Sequence, residues 1–244
     1  MIIPILILST VFIAIAFIVN ENNADQLLSG YNTMSKEEKE NFDIKSYLLY
    51  FRNFHLFLGS TLLVLSLFVY FFVNKDWSGI FMGTYPILAY TYFIWKGNNF
   101  SKTKTKKQQI TTYVVMGVML LLFLFLVYEF KSSFNDNEII VDANSIEITG
   151  EYGIKINKKD LKSVELINHI PKISTKINGF ALETIKKGYF RTAKDEKVTL
   201  LINSDSSPII LLITKDNYKI YYSSKNKSNE KIFIEIRSKM GINQ

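Results

Sequence analysis

Apolar residues follow two incompatible patterns along this chain. Before Phe130 they form long uncharged runs, and after Phe134 they alternate with polar residues or recur at helical spacing. Four runs have the length of a membrane-spanning helix: 2–19, 56–73, 78–95 and 110–128. At 1.5 Å per residue, about 18–20 residues fill a hydrocarbon core of roughly 30 Å. Hydrocarbon offers the backbone no hydrogen-bond partners, so such runs must be helical. The first run has a rival reading as a cleaved signal peptide, but it lacks a basic flank and a small-residue cleavage site before Asn20. The third, which carries Pro86, has a rival reading as a re-entrant or packed helix; Tyr85, Tyr90, Tyr92 and Trp95 along it suit interfacial anchoring. The pattern predicts a transmembrane α-helical bundle of about four spans over residues 1–130.

In the second half, 138–141, 145–148 and 153–156 alternate apolar with polar positions, as half-buried strands do. Further strands are predicted over 163–167, 180–184, 189–192, 197–202, 209–213 and 218–222, with Pro208 at the mouth of one of them. Ile232, Phe233, Ile236 and Met240 then recur at helical spacing, with Ser228 placed to cap the start and Gly241 to close the end. A run of short antiparallel strands followed by one amphipathic helix predicts a β barrel or bent sheet capped by a C-terminal helix, occupying residues 137–244.

Charge changes this picture little. Up to Phe130 the chain carries 10 basic and 8 acidic residues, and from Lys131 onward 19 and 14, so the net +7 is spread over both halves. That spread argues against a nucleic-acid surface, which gathers its cations on one face. The absence of cysteine removes disulfides, thiolate nucleophiles and cysteine-ligated metals, and the two histidines, His55 and His169, are far apart in sequence. No cofactor is expected.

The lysines do predict an orientation. The segment joining the first two runs carries Lys36, Lys39, Lys45 and Arg52, and the segment joining the last two carries Lys96, Lys102, Lys104, Lys106 and Lys107. Only Lys75 and Lys131 flank the other side, and nine against two is a positive-inside signal. It predicts a multi-pass protein of the cell membrane with both termini and the C-terminal domain extracytoplasmic. No Asp, Glu, Lys, Arg or His falls inside the four runs as bounded above, which counts against a pump or ion-coupled transporter.

One loop stands out. Between the first two runs, Gly30-Tyr31-Asn32 reads as a turn, and Ser35 followed by Glu38 reads as a capping box that opens a helix continuing through Ile44 to Phe51. Tyr31, Asn32, Thr33, Ser35 and Glu38 form a candidate recognition loop, the plainer reading being that they cap a helix and fix a loop. The run Gly30-Tyr31-Asn32-Thr33-Met34-Ser35-Lys36-Glu37-Glu38-Lys39 resembles the hallmark of a family of small bacterial membrane proteins, domain of unknown function 3784. The likeness covers about residues 1–97, and that family supplies no activity to carry over.

In the second half, Lys158, Lys159 and Lys162 form one candidate basic patch, and Lys186, Lys187 and Arg191 another, for an anionic ligand or headgroup. The plainer reading is solvated faces or guards on strand edges. His169 and Ser206-Ser207 sit in predicted loops without a nucleophile–base arrangement. The pattern Tyr152-Gly153-Ile154-Lys155-Ile156, Leu161 to Leu166, Pro171, Asn178-Gly179 and Gly188-Tyr189-Phe190 is similar to bacterial pleckstrin-homology-like (PH-like) domains over about residues 137–241. The resemblance implies a partly open barrel with a terminal helix, and fold alone implies no ligand.

These readings converge on a membrane protein that presents a binding or sensing domain without catalysis. An immunity-like or envelope-stress protection role is the alternative, and a membrane enzyme or transporter is a third. The implied partners are the lipid bilayer and a protein, peptide or envelope ligand, with neighbouring spans open to a second copy of the chain.

Overall fold

The computed structural model describes residues 1–103 and 105–241; Lys104 of the second basic segment and positions 242–244 lie outside the described residues. Two compact units are present, Met1–Tyr128 and Glu129 onward.

The first unit is helical. Its elements are α1 (Ile2–Ile18), α2 (Ala24–Leu27), α3 (Lys36–Glu40), α4 (Ile44–Phe72) and α5 (Lys75–Gly97), followed by α6 (Lys106–Phe134). Two helices, α4 and α6, are long and apolar enough to cross a membrane, and α1 is apolar but shorter. Four helices of that kind were expected. The third run falls short because Ser78, Thr84, Pro86 and Thr91, with Tyr85, Tyr90 and Tyr92, dilute its apolar residues. The serine and threonine hydroxyls bond to backbone carbonyls: Ser78 Oγ to Ser66 O (2.8 Å), Thr84 Oγ1 to Ile80 O (2.8 Å) and Thr91 Oγ1 to Ile87 O (2.8 Å).

Helix α4 begins twelve residues ahead of the predicted run, capped by Asp43, whose Oδ1 accepts from the Ser46 N–H at 3.1 Å. The helix predicted to run from Ser35 into this span is therefore two helices. It breaks after Glu40 because Asn41 leaves the helical path and Phe42 pairs instead with Ser101 as an isolated bridge.

Within the unit α4 is central. Gly59 lets α1 approach so closely that a Cβ there would lie 2.6 Å from Ile13 Cγ1 and 2.8 Å from the Ser9 carbonyl oxygen. Small residues permit this kind of contact, which helices in lipid rely on in place of a hydrophobic drive. On its other side α4 is joined to α5 by a series of polar contacts. The Tyr50 hydroxyl donates to Phe93 O (3.3 Å), His55 Nε2 meets the Tyr90 hydroxyl (2.9 Å), and Thr61 Oγ1 meets the Tyr85 hydroxyl (2.6 Å).

The second unit has two sheets and a helix. Strands β1 (Ile139–Val141), β2 (Ser145–Ile148) and β3 (Ile154–Asn157) form an antiparallel meander. Strands β4 (Leu161–Ile167), β5 (Ile173–Ala181), β6 (Lys186–Thr192), β7 (Lys197–Ile202), β8 (Ile209–Thr214) and β9 (Lys219–Ser223) form a second sheet in the order β4-β8-β9-β7-β6-β5. Alternation in β7, β8 and β9 fills both faces of that sheet. Leu201, Ile210, Leu212, Ile220 and Tyr222 join Ile146, Ile148 and Ile156 of the meander and Ile232, Ile236 and Met240 of α7 (Asn229–Met240). Val198, Leu200, Ile202, Ile209, Leu211 and Tyr221 form a second cluster with Phe190 on the reverse face.

The expected barrel does not close. The sheets remain separate, β4 and β5 are free edges of the larger one, and β7 runs parallel to β9 where only antiparallel pairs were expected. The crossover places β8 outside β9, so the strand that would continue a meander lies elsewhere. The strand predicted over 180–184 is also displaced: β5 ends at Ala181 and pairs with β6 through Gly179 opposite Gly188. Both glycines have positive φ, and a Cβ on Gly188 would lie 2.3 Å from Asn178 O.

Candidate functional site

The loop between α2 and α4 is a braced structure. Gly30 takes φ +94°, open to glycine at no steric cost. Around it Asn32 Oδ1 accepts from the Gly30 N–H (3.2 Å) and Thr33 Oγ1 donates to Gly30 O (3.1 Å). Tyr31 packs on Phe42 with ring centroids 5.5 Å apart, and Lys39 lies 5.1 Å over the Tyr31 ring while its ammonium pairs with Asp25 at 2.6 Å. Asn32 and Thr33 thus spend their side chains on the turn itself.

The predicted capping box is present: Ser35 Oγ accepts from the Glu38 N–H (3.2 Å) and Glu38 Oε2 from the Ser35 N–H (2.8 Å). A second box opens α6, where Thr105 Oγ1 accepts from Gln108 N–H (3.2 Å) and Gln108 Oε1 from Thr105 N–H (3.1 Å). The two boxes are joined, because Gln108 Nε2 donates to Glu38 Oε1 at 2.9 Å. The backbone completes the clasp: Asp43 N–H donates to Phe100 O (2.9 Å) and Lys102 N–H to Asn41 O (2.8 Å). The two basic segments therefore meet.

The basic patches do not assemble as predicted. Lys158 and Lys159, on a 3-10 turn, line an open cleft of about 470 Å3 with Asn144 and Asn157. Lys162 is elsewhere, its ammonium donating to Asn217 Oδ1 at 2.6 Å. In the second patch Arg191 pairs with Asp195 (3.0 Å) and Lys186 donates to Glu183 O (3.0 Å). Lys187 is no surface residue at all, with 1% of its area exposed. Neighbours along a strand point to opposite faces, so Lys186 and Lys187 cannot share one.

The inward face that takes Lys187 holds a polar hub that the sequence reading missed. The chain leaving α6 passes through it as Asn135-Asp136-Asn137. The Lys187 ammonium donates to the Asn135 carbonyl. Asp136 Oδ2 accepts from Ser224 Oγ (3.3 Å) and the Lys225 N–H (3.3 Å). Asn137, fully buried, donates from Nδ2 to Thr149 O (2.6 Å) and Glu151 O (2.9 Å), its N–H donates to Asn203 Oδ1 (3.2 Å), and its carbonyl accepts from the Tyr222 hydroxyl (2.8 Å). The last turn of α6 joins in, with Ser132 Oγ donating to Glu151 Oε1 (2.6 Å) and Phe130 and Phe134 edge-on to Phe180.

Burial pushes the Lys187 ammonium down from its ordinary 10.5 to about 8, with Asp136 and Glu151 pulling the other way and Lys225 adding to the fall. Burial likewise raises the Tyr222 hydroxyl. Asp136 Oδ1 and Asn137 Oδ1 are buried without a hydrogen-bond partner. In chemical terms the hub clamps a backbone segment; among the described residues no group of three or more His, Asp or Glu side chains stands ready to hold a metal ion.

In the helical unit His55, weighed in the sequence only as a metal ligand, lies one residue outside the predicted run and is 2% exposed in α4. The Phe51 carbonyl can only accept, so Nδ1 (2.7 Å away) donates to it, which in the neutral ring leaves Nε2 to accept from the Tyr90 hydroxyl. Phe51, Phe54 and Phe93 enclose the ring.

Residues 6–101 match the family described as domain of unknown function (DUF3784), which covers α1 to α5 and stops before α6. No curated protein and no solved structure matches the chain.

Proposed function

We propose that this is a multi-pass membrane protein whose strand-rich unit is a binding or sensing module, with no chemistry of its own. One observation carries the reading. Helix α6 is apolar on every side and buries only Ser133, so Val114, Leu121, Phe125 and Tyr128 are 58%, 67%, 56% and 69% exposed; yet the same helix ends inside the hydrogen-bond network of the strand unit. An uncovered apolar surface of that extent needs hydrocarbon as its solvent. A connector held at Asn135, Asp136 and Asn137 leaves no slack chain between a ligand on the strands and the last turn of α6.

The helices α1 and α5 cross with α4 and α6, supported by the uncharged α1 packed on Gly59 and by the polar contacts that bind α5 to α4. The basic segments share a side, supported by the Asn41–Lys102 and Asp43–Phe100 backbone bonds. Their excess of lysine assigns that side to the cytoplasm and the strand unit to the exterior. Likeness to PH-like domains extends to a strand series ending in a helix and not to a closed barrel.

The test is photo-crosslinking in native membranes from exposed positions of the strand unit, such as Lys159 and Ile177. A discrete, saturable protein or peptide adduct is expected. Adducts to bulk lipid alone from every position refute the binding role. A C-terminal reporter active only in the cytoplasm refutes the orientation.

A further inference from the structure

Where α4 and α5 lie side by side, their outer faces enclose an open groove of about 560 Å3 at the α4 N-terminal end, the size of a small amphiphile's site. Its walls are of two kinds. Leu49, Phe54 and Phe57 supply apolar surface, and Leu49 and Phe57 are 61% and 65% exposed. Asn53 and Lys96 supply polar groups on the same groove.

Among the described residues, Lys96 has aromatic but no acidic partners, and Asn53 has none. Lys96 stands over the rings of Tyr50 and Tyr92, 5.5 Å and 5.8 Å from their centroids, and among the described residues no carboxylate pairs with it. Asn53 is exposed on α4 one turn beyond Leu49, and among the described residues its amide has no hydrogen-bond partner. Neither cation on this part of α4 lines the groove: Lys45 is not among its walls, and the Arg52 guanidinium covers Phe17 at 5.0 Å.

The order of these groups along α4 matters. The uncharged run of this helix begins just past His55, so Asn53 and Lys96 fall at headgroup depth and Phe57 in hydrocarbon, if α4 crosses a membrane as proposed above. A ligand that fits both ends has an anion, then hydrogen-bond acceptors, then an acyl chain. We propose that the α4–α5 groove binds one anionic phospholipid of the adjoining leaflet, with Lys96 on the phosphate, Asn53 on an ester carbonyl, and Leu49 and Phe57 along the chain. The unpaired lysine argues for an anionic over a zwitterionic headgroup, and the tyrosine rings hold the ammonium at the mouth. This site rests on the membrane reading of the preceding section.

Native mass spectrometry of the full chain, released from detergent in the presence of phosphatidylglycerol or phosphatidylcholine with the same acyl chains, tests it. The expected result is one retained phosphatidylglycerol and weaker retention of phosphatidylcholine. Lys96→Ala lowers phosphatidylglycerol retention about fivefold, the worth of one lysine at an anionic surface. Lys96→Arg preserves it, and Lys107→Ala, a lysine at the same end outside the groove, leaves it unchanged. Circular dichroism and gel filtration establish that each variant is folded. Equal retention of the two lipids, or an unchanged Lys96→Ala, overturns the site, as does a dimer without lipid, which would seat a second copy there. Alkaline carbonate extraction separates the two readings: protein that stays in the membrane pellet but shows no lipid preference overturns the groove alone, and protein found in the supernatant overturns both.

Discussion

Lys187 gives a direct measure of how tightly the connector after α6 is held. Its ammonium is buried against the Asn135 carbonyl, and its folded pKa of about 8 lies below the ordinary 10.5. Below about pH 8 both the folded and unfolded chains carry the proton, and folding bears the full cost of burying the charge. As pH rises above that value the folded chain releases the proton first, so the unfolded chain binds more protons and stability increases. Between about pH 7.5 and about pH 9.5 the two pKa values give a gain of about 2 kcal/mol. Urea unfolding of residues 129–244, followed by circular dichroism at those two pH values, measures it. Lys187→Met, which keeps the length and removes the charge, is expected to abolish most of the gain. A wild-type stability that is flat or falling over that interval refutes a buried, charged Lys187, and an identical slope in Lys187→Met assigns the effect to another group.

Other outcomes follow from the same geometry. Tyr222→Phe removes the hydroxyl that meets the buried Asn137 carbonyl and is expected to cost about 1–3 kcal/mol in the same unfolding assay, with no change in strand content. Gly59→Leu drives a side chain into Ile13 and the Ser9 carbonyl and is expected to lower stability in detergent by about 1–3 kcal/mol or more, whereas Gly117→Leu, with nothing within 4 Å of its Cβ, is expected to be neutral in thermal melts. Ser35→Ala loses one cap at about 1 kcal/mol, read as faster amide exchange over residues 36–40. Glu38→Ala loses in addition the link to Gln108, and its faster exchange extends to the first turn of α6.

Much of the strand unit was legible because its signals are local. Alternation at 145–148 and 197–202, Ser228 as a cap and Gly241 in the left-handed conformation depend only on near neighbours. The Thr105–Gln108 box carried the same three-residue signature as Ser35–Glu38 and was readable by the same rule. The parallel pairing of β7 with β9 was not, because it joins segments by a crossover that leaves no mark on either strand's own pattern. Lys187 misled for a related reason: a lysine beside another lysine reads as surface, and its burial depends on Asn135 and Glu151, distant in sequence. The reach of α4 ahead of the uncharged run was legible in the apolar positions from Ile44 to Phe51, whereas its separation from α3 was not, because that break rests on Phe42 pairing with the distant Ser101.

The two free edges of the larger sheet are unlike a growing template. On β5 the register slips twice, between Ile173 and Thr175 and between Lys176 and Asn178, and Lys176 stands exposed between the slips. A neighbouring copy laid along such an irregular border finds no continuous row of donors and acceptors to zip onto. An edge broken in this way is a poor seed for fibrils built by strand addition from one copy to the next.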